Sequence, residues 1–238
     1  MILQTKDRLP VWLWLGLPLL FLLFIIIIIG FFPKQIKFVI EQENGVVELG
    51  TTLILIPAIY AGIRCFLCRQ YLPVKWLATW LVLVTLGCVY IAGEEISWGQ
   101  HLLEWNTPEY LQKINDQHET NIHNISSWFD QKPRLLLEIA ILFGGIVMVL
   151  WNSFRHVEYR IDDWRLWFWP DVACFPSAVI AIFIRFPERY QSITGDWPLP
   201  FYVRFSEVQE LYFAIFLFMY LYGNYHRLKQ VKRRHGPI

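Results

Sequence analysis

Charged residues are scarce in this chain. Lysine, arginine, aspartate and glutamate make up 17% of its 238 residues, hydrophobic residues make up 55%, and the formal net charge is +1. A chain so close to neutral has no overall field that would attract a polyanion, so nucleic acid is not expected as a partner. Internal repeats are absent as well, which argues against a carrier built from two inverted halves.

Cysteine is also rare. The four cysteines lie in or beside apolar segments, where unreactive buried thiols usually occur. Cys65 and Cys68 form a C-x-x-C pair, but the sequence offers neither the second ligand pair nor the soluble fold that a redox or metal role would need. We interpret these cysteines as structural and predict no disulfide framework.

Long apolar runs, in contrast, are abundant. Windows of about 20 apolar residues suit helices that cross a bilayer. They predict an all-α, polytopic membrane helical bundle of about six transmembrane helices, in which residues 1–238 form a single integral membrane domain. The predicted segments are residues 11–32, 46–68, 76–100, 134–154, 165–186 and 206–226.

The fifth segment contains a predicted break. The stretch "WPDVACFP" places Pro170, Asp171 and Pro176 within an apolar run, and proline interrupts helical hydrogen bonding. Neighbouring helices would have to satisfy the carbonyl groups that such a break frees, because lipid cannot do so.

Basic residues predict the orientation. Lysine and arginine cluster in the second and fourth connections and in the C-terminal tail "HRLKQVKRRHGPI", and such clusters favour the cytoplasmic side. We therefore expect both termini in the cytoplasm and the protein in the bacterial inner membrane. The first apolar segment is too long for a signal peptide and lacks a small-residue cleavage site, so we expect a retained anchor.

On this topology, the acidic residues at the membrane borders share the extracytoplasmic side. The helix dipole favours acids where a helix begins, but it opposes those where segment three ends. Ionisable residues in membrane helices are expected to face the bundle interior and to have partners. The acidic residues concerned are Glu41, Glu43, Glu48, Glu94, Glu95, Glu207 and Glu210.

The stretch "AGEEISWGQH" ends the third segment. If the helix continues through Gln100, then Glu94, Trp98 and His101 lie on one face, and Glu95 points about 100° away. One face would then offer a carboxylate and an imidazole to the same ligand.

The loop of residues 102–133 supplies further polar groups. "TPEYLQKIN" has the pattern of an N-cap followed by proline and an acid, which predicts a short interfacial helix. In "HETNIHN", Glu119 and His123 are four residues apart, a spacing that lets two helical side chains share a metal. The pattern is not the H-E-x-x-H zinc signature.

Together these residues predict a divalent metal site of zinc, iron or manganese, because oxygen and imidazole ligands suit these ions. Metal-bound water ionises near neutral pH, so the leading hypothesis is a metal-dependent hydrolase or transferase that acts on a membrane lipid or lipid-linked substrate at the extracytoplasmic face. Glu94 is the predicted general base. The predicted ligands are Glu95, His101, Glu119 and His123, with Glu48, Gln100, Asn121, Asn124, Glu207 and Glu210 as possible additions.

Other interpretations stay open. Glu94 and Glu95 can form a structural network, in which one of them pairs with an arginine such as Arg134, Arg185 or Arg204. The chain would then be a non-enzymatic subunit or binding module that holds a pigment or quinone or docks other membrane proteins in a complex. A proton-coupled carrier is a third interpretation, but the sequence places few charged groups near the middle of the membrane.

Two resemblances accompany these patterns. The blocks "ENGVVELGT", "GEEISWGQ" and "ETNIHN", within residues 41–125, resemble an uncharacterised family of bacterial multi-pass membrane proteins, and this resemblance implies no activity. Glu94 and Glu95 also resemble the E-E-x-x-x-R motif of CAAX-protease-type intramembrane proteases, although Gly99 occupies the arginine position and no F-x-x-x-H motif follows.

Overall fold

Five helical stretches of the computed structural model are long and apolar enough to cross a membrane. The structure describes residues 9–42, 45–103, 105–108, 110, 127–200 and 202–235, and gives only the backbone of residues 101, 102, 127–130 and 235. Within this part of the chain the elements are helices, with no β-strand. The predicted all-α membrane bundle is therefore confirmed.

The first three spans are helices α1, α2 and α3, which cover Trp12–Phe31, Val46–Leu67 and Trp76–Glu95. The turns Pro33–Gln35 and Lys37–Glu41 lead into α2, and the four-residue α4, Gln100–Leu103, follows α3.

The later spans are less regular. Helix α5 begins as Ser127–Ala140 and continues through the π-helical Ile141–Met148 into Val149–Phe154. The next span, Arg165–Thr194, consists of the short helices α6, α7 and α8, which cover Arg165–Phe168, Phe175–Phe183 and Phe186–Thr194. Helix α9, Phe205–His235, is the longest, with 31 residues.

Helix α9 forms the centre of the bundle. Every residue from 211 to 221 is buried, although the other long helices expose many large apolar side chains. Neighbours on several sides hold it: the Tyr212 hydroxyl donates to the Pro18 carbonyl of α1, and the Cys65 thiol of α2 lies 3.9 Å from the Leu221 carbonyl oxygen. The helix with the most polar ends is thus the one with the least contact with lipid.

Successive spans alternate in direction around α9. Residues near the start of α2 and the end of α3 lie close to the start of α9, since Glu48, Glu95, Glu207 and Glu210 interact with one another. We call this the acidic end. The opposite end contains the ion pair between Asp171 and Arg227, and we call it the basic end. The expected gathering of membrane-border acids at one end of the bundle is confirmed for these four glutamates.

The predicted break in the fifth span is also confirmed. Trp169 is extended, with ψ of 137°, and the Asp171 side chain caps the next turn by accepting from the Ala173 amide at 2.9 Å. The Tyr220 hydroxyl of α9 lies 3.0 Å from the carbonyl oxygens of both Trp167 and Phe168 and donates to them. As the sequence required, a neighbouring helix satisfies the freed backbone groups.

We expect Tyr220→Phe to lower the stability of the bundle by about 1–3 kcal/mol, because polar groups left unsatisfied in a buried site carry that cost. The change removes the donor to the Trp167 and Phe168 carbonyls and the acceptor of the Trp80 indole N–H, which lies 2.8 Å from the hydroxyl. Thermal unfolding in detergent measures the effect.

The matched control is Tyr222→Phe on the same helix, which keeps the ring contacts of Tyr222 with Phe218 and Tyr225. If both variants melt alike, the Tyr220 hydroxyl does not support the break.

Candidate functional site

The "GEEISWGQ" stretch forms a reversed turn where α3 ends. The helix stops at Glu95, and the backbone φ angles of Ser97, Trp98 and Gly99 are all positive, at 46°, 56° and 88°. L-residues rarely adopt this left-handed region, so only Gly99 occupies it without strain. The prediction that the helix continues through Gln100 is therefore wrong. Glu94, Trp98 and His101 do not share a face of one continuous helix.

The turn instead folds Trp98 back onto α3. The Trp98 indole N–H donates to a Glu94 carboxylate oxygen at 2.7 Å. The Trp98 ring packs against Gly93, where an added Cβ atom would lie 2.9 Å from three ring carbons. Glu94 is only 6% exposed. The indole therefore orients a buried carboxylate, and Gly93 provides the space that lets it do so.

Glu95 points to a different neighbour. It interacts with Glu210 of α9, and Glu210 also pairs with Arg134 of α5. Glu95, Glu210 and Arg134 thus connect α3, α9 and α5 at the acidic end.

Three more glutamates, Glu41, Glu48 and Glu207, lie at the acidic end. Glu207 pairs with Arg204 at 2.8 Å, and both Glu207 and Glu48 lie within electrostatic range of Glu95. Glu41 accepts a hydrogen bond from the Arg204 backbone amide at 3.3 Å. The cluster thus combines several carboxyl groups with two arginines, and most of its groups are committed to partners in the protein.

A groove of about 380 Å³ opens beside this cluster, between α3, α5 and α9. Most of its lining is apolar, with side chains such as Leu83, Leu137 and Phe213. Its polar lining consists of a few groups that converge from the three helices, namely Glu94, Glu95, Arg134, Glu210, Tyr90 and Trp80. A long apolar surface with a small polar patch is the usual composition of a site for a small amphiphilic molecule.

The structure brings together some of the predicted site residues. Glu94, Glu95 and Glu210 line one groove, and Glu48 and Glu207 lie close behind it. Gln100 has a different neighbour, since its amide donates to the Thr107 hydroxyl at 2.7 Å.

Other predicted site residues lie outside the described part of the chain. They are the His101 side chain, Glu119, Asn121, His123 and Asn124; the short interfacial helix of the 102–133 loop also lies outside it, except for Pro108 and Tyr110.

The same residues bear on the predicted metal site. In the part of the chain that the structure describes, no group of three or more histidine, cysteine, aspartate or glutamate side chains is arranged to hold a metal ion. Glu210 is engaged with Arg134 and Glu95, and Glu207 with Arg204. A metal site would therefore depend on His101, Glu119 and His123, and it stays a prediction.

Sequence reasoning missed several contributors to this site. It assigned Gly93 no role, and it named Arg134 only as one of three possible partners for Glu94 or Glu95. Arg134 pairs with a residue 76 positions away, a relation that no local spacing reveals. The Gly-Glu-Glu sequence followed by tryptophan and glycine was the available signal for a turn at the end of α3.

Comparisons of this chain with protein-family models, with curated proteins and with solved structures found no match. The resemblances described above therefore stay predictions, and the function has to be argued from the groove itself.

We expect Gly93→Ala to destabilise the end of α3, because the added methyl group would overlap the Trp98 ring. Overpacking of this kind costs about 1–3 kcal/mol. The control is Gly87→Ala in the same helix, where a Cβ would meet nothing within 4 Å and alanine is the better helix former. Thermal unfolding should place Gly93→Ala below Gly87→Ala, and equal stability would show that Trp98 does not pack on Gly93.

Proposed function

We propose that this chain is an integral membrane protein that binds the apolar part of a lipid or lipid-linked substrate in the groove between α3, α5 and α9 and acts on its headgroup as a hydrolase or transferase. The groove carries this proposal, because its apolar walls end at Glu94, Glu95, Arg134 and Glu210. Amphiphilic ligands need that combination, with a long apolar surface and a few convergent polar groups.

The position of the groove supports access from the bilayer. Leu83 of α3 and Leu136 of α5 line it and are 57% and 71% exposed, so they face the surroundings of the bundle. A lipid can enter between these helices without leaving the hydrocarbon layer. The basic connections favour the extracytoplasmic side for the acidic end and the cytoplasm for both termini, and a bacterial inner membrane is the expected location.

Glu94 is the proposed general base. It lines the groove, is buried, and is oriented by the Trp98 indole. In a hydrolysis it would take a proton from water, the resulting hydroxide would attack the ester, amide or phosphate centre, and the proton would pass to the leaving group. Arg134 lines the same groove, and a guanidinium suits charge that develops on oxygen.

A divalent metal is the further element of this proposal. His101, Glu119 and His123 carry the ligand types that suit zinc, iron or manganese. Such an ion would lower the pKa of a bound water and supply the nucleophile at neutral pH.

A structural role is the second candidate function, and the Glu95–Glu210–Arg134 connection favours it. These contacts hold three helices together at one end, as expected of a non-enzymatic subunit or binding module that serves a pigment, a quinone or a partner complex. On this interpretation the groove is a lipid contact without turnover.

Lipid retention tests the groove directly. We expect Gly87→Leu to reduce the amount of lipid that co-purifies with the protein, because Gly87 lines the groove and its side-chain position is open. The measurement is native mass spectrometry of protein released from detergent micelles, with bound lipid counted per chain.

The matched control is Gly30→Leu in α1, which also lies at an open, exposed helical position but does not line the groove. If both variants retain as much lipid as the wild type, the groove is not a lipid site and the proposal fails.

Turnover tests the catalytic role of Glu94. Purified protein in nanodiscs prepared from bacterial lipid extract should convert one lipid class, followed by mass spectrometry, and Glu94→Gln should lower the rate at least about 100-fold, the usual contribution of a general base. Equal rates in both proteins would remove Glu94 from the mechanism. Absence of conversion in the wild type, with metals supplied, would favour the structural candidate.

Metal content tests the metal-dependent version. We expect about one zinc, iron or manganese ion per chain in wild-type protein purified without chelators, and its loss in a His101→Ala, His123→Ala double variant, because histidine ligands dominate such sites. Elemental mass spectrometry gives the stoichiometry. Wild-type protein without metal would contradict this version and leave the lipid-binding proposal intact.

A further inference from the structure

We infer that the basic end of the bundle binds the phosphate of an anionic phospholipid on the surface formed by α2 and α9, with Arg64 as its main contact. This site is separate from the groove between α3, α5 and α9, and it does not depend on the proposed function. The observation behind it is a guanidinium in a membrane-spanning helix that has no anionic partner in the described part of the chain.

Arg64 lies in the last turn of α2, which begins at the acidic end and therefore finishes at the basic end. Among the described residues it forms neither an ion pair nor a hydrogen bond, and its Nε atom is enclosed by the protein without a hydrogen-bond partner. Its two terminal nitrogens also have no such partner, but they are not enclosed. Charged groups in membrane helices are expected to have partners, so a ligand is the expected source of the missing anion.

The surroundings of Arg64 are aromatic. Its guanidinium carbon lies 6.0 Å from the centroid of the Tyr225 ring of α9, and the Tyr60 ring of α2 meets Tyr225 edge-on, with 6.1 Å between the centroids. Tyr222 contacts Tyr225 from the other side, at 6.3 Å. Tyrosine favours the border between hydrocarbon and headgroups, where one end is apolar and the other wet. These rings therefore indicate that the guanidinium lies at the depth of lipid phosphates.

Helix α9 continues past this border with exposed basic residues. Lys229 lies one helical turn after Tyr225, Lys232 follows on the same face, and both are exposed. Neither lysine forms an ion pair in the part of the chain that the structure describes. With 31 residues, α9 is about 46 Å long, and the hydrocarbon layer is about 30 Å thick. Its last turns therefore reach beyond the hydrocarbon layer, where the lysines can contact headgroups.

The aspartates of the basic end are committed to other arginines. The ion pairs are Asp162–Arg160, Asp163–Arg165 and Asp171–Arg227. Glu158 lies with Asp171 in the lining of a separate cavity of about 330 Å³, to which Arg64 does not contribute.

An anionic phospholipid suits this surface through both of its parts. A guanidinium offers parallel N–H donors that fit phosphate oxygens, and the ammonium of Lys229 adds a second cation nearby. Free phosphate has the same chemistry, but the surface also provides for acyl chains. Ile56, Tyr60 and Ile63 follow one face of α2 towards the middle of the membrane, and they are 57%, 53% and 50% exposed. A lipid can therefore place its phosphate at Arg64 and its chains along this face.

Competition between two lipids with identical acyl chains tests the inference on the wild type alone. The protein is equilibrated with equal amounts of dioleoyl phosphatidylglycerol and dioleoyl phosphatidylcholine, and native mass spectrometry measures the ratio of bound lipids. We expect the anionic lipid to be favoured about fivefold, the equivalent of about 1 kcal/mol for a basic residue near anionic lipid. A ratio near one, or a preference for the choline headgroup, would overturn the inference.

Two arginine variants locate the site. Arg64→Gln should bring the ratio close to one. The matched control is Arg155→Gln at the end of α5, because Arg155 also lies over an aromatic ring, that of Trp151 at 4.9 Å, and also forms no ion pair among the described residues. This control should keep most of the preference. Equal losses in the two variants would show a general effect of surface charge and remove Arg64 as the site.

Two further arms identify the ligand and its place. Excess inorganic phosphate during equilibration should leave the ratio unchanged, whereas loss of the preference would mean that the site takes free phosphate and would overturn the assignment to a lipid. The Gly87→Leu variant, in which the groove is filled, should keep the preference for the anionic lipid. Loss of the preference in that variant would place the anionic lipid in the groove and contradict a site at Arg64, and the proposed function would be unaffected.

Discussion

Polar atoms inside a membrane bundle have to find partners within the protein, because hydrocarbon offers none. In this chain α9 provides hydrogen-bond donors for backbone carbonyl groups of several neighbouring helices. The Tyr212 hydroxyl binds a carbonyl of α1, the Gln209 amide binds the Ala181 carbonyl of α7 at 2.9 Å, and the Tyr220 hydroxyl binds the end of α6. A helix that provides these side chains has to be central, and the more apolar helices then lie around it.

The acidic end follows from the same requirement. Glu95 and Glu210 interact between α3 and α9, where two ionised carboxylates would repel, and the guanidinium of Arg134 in α5, which pairs with Glu210, offsets that repulsion. Glu94 accepts a hydrogen bond from the Trp98 indole. Two adjacent glutamates therefore have different surroundings, which is the condition under which carboxyl groups take different roles at one site.

The sequence predicted the features that depend on local patterns. Apolar windows predicted the five stretches that are long and apolar enough to cross a membrane. Pro170 and Asp171 predicted the break, and the helical angle between Glu94 and Glu95 predicted that the two side chains point in different directions. It did not predict the turn at Ser97, Trp98 and Gly99, because glycine is the residue type that signals a left-handed backbone and two of these three residues are not glycine. Pairs such as Arg134–Glu210 and Asp171–Arg227 bridge 76 and 56 residues, and only packing brings them together. The central position of α9 was also hidden, since hydropathy records composition and not which neighbours surround a helix.

The composition of α9 has a consequence for biogenesis. Its 31 residues are long enough, but it is not among the five stretches that are also apolar enough to cross a membrane by themselves. Apolar composition therefore favours its transfer into lipid less than theirs. It also follows those five in the chain, and during synthesis earlier segments emerge first. Tyrosine and glutamine side chains make α9 a poor candidate for independent insertion. Their hydrogen-bond acceptors lie in helices that are synthesised before α9. This order of helices allows α9 to insert late, against the surface of helices already in place. It then does not have to partition alone into lipid.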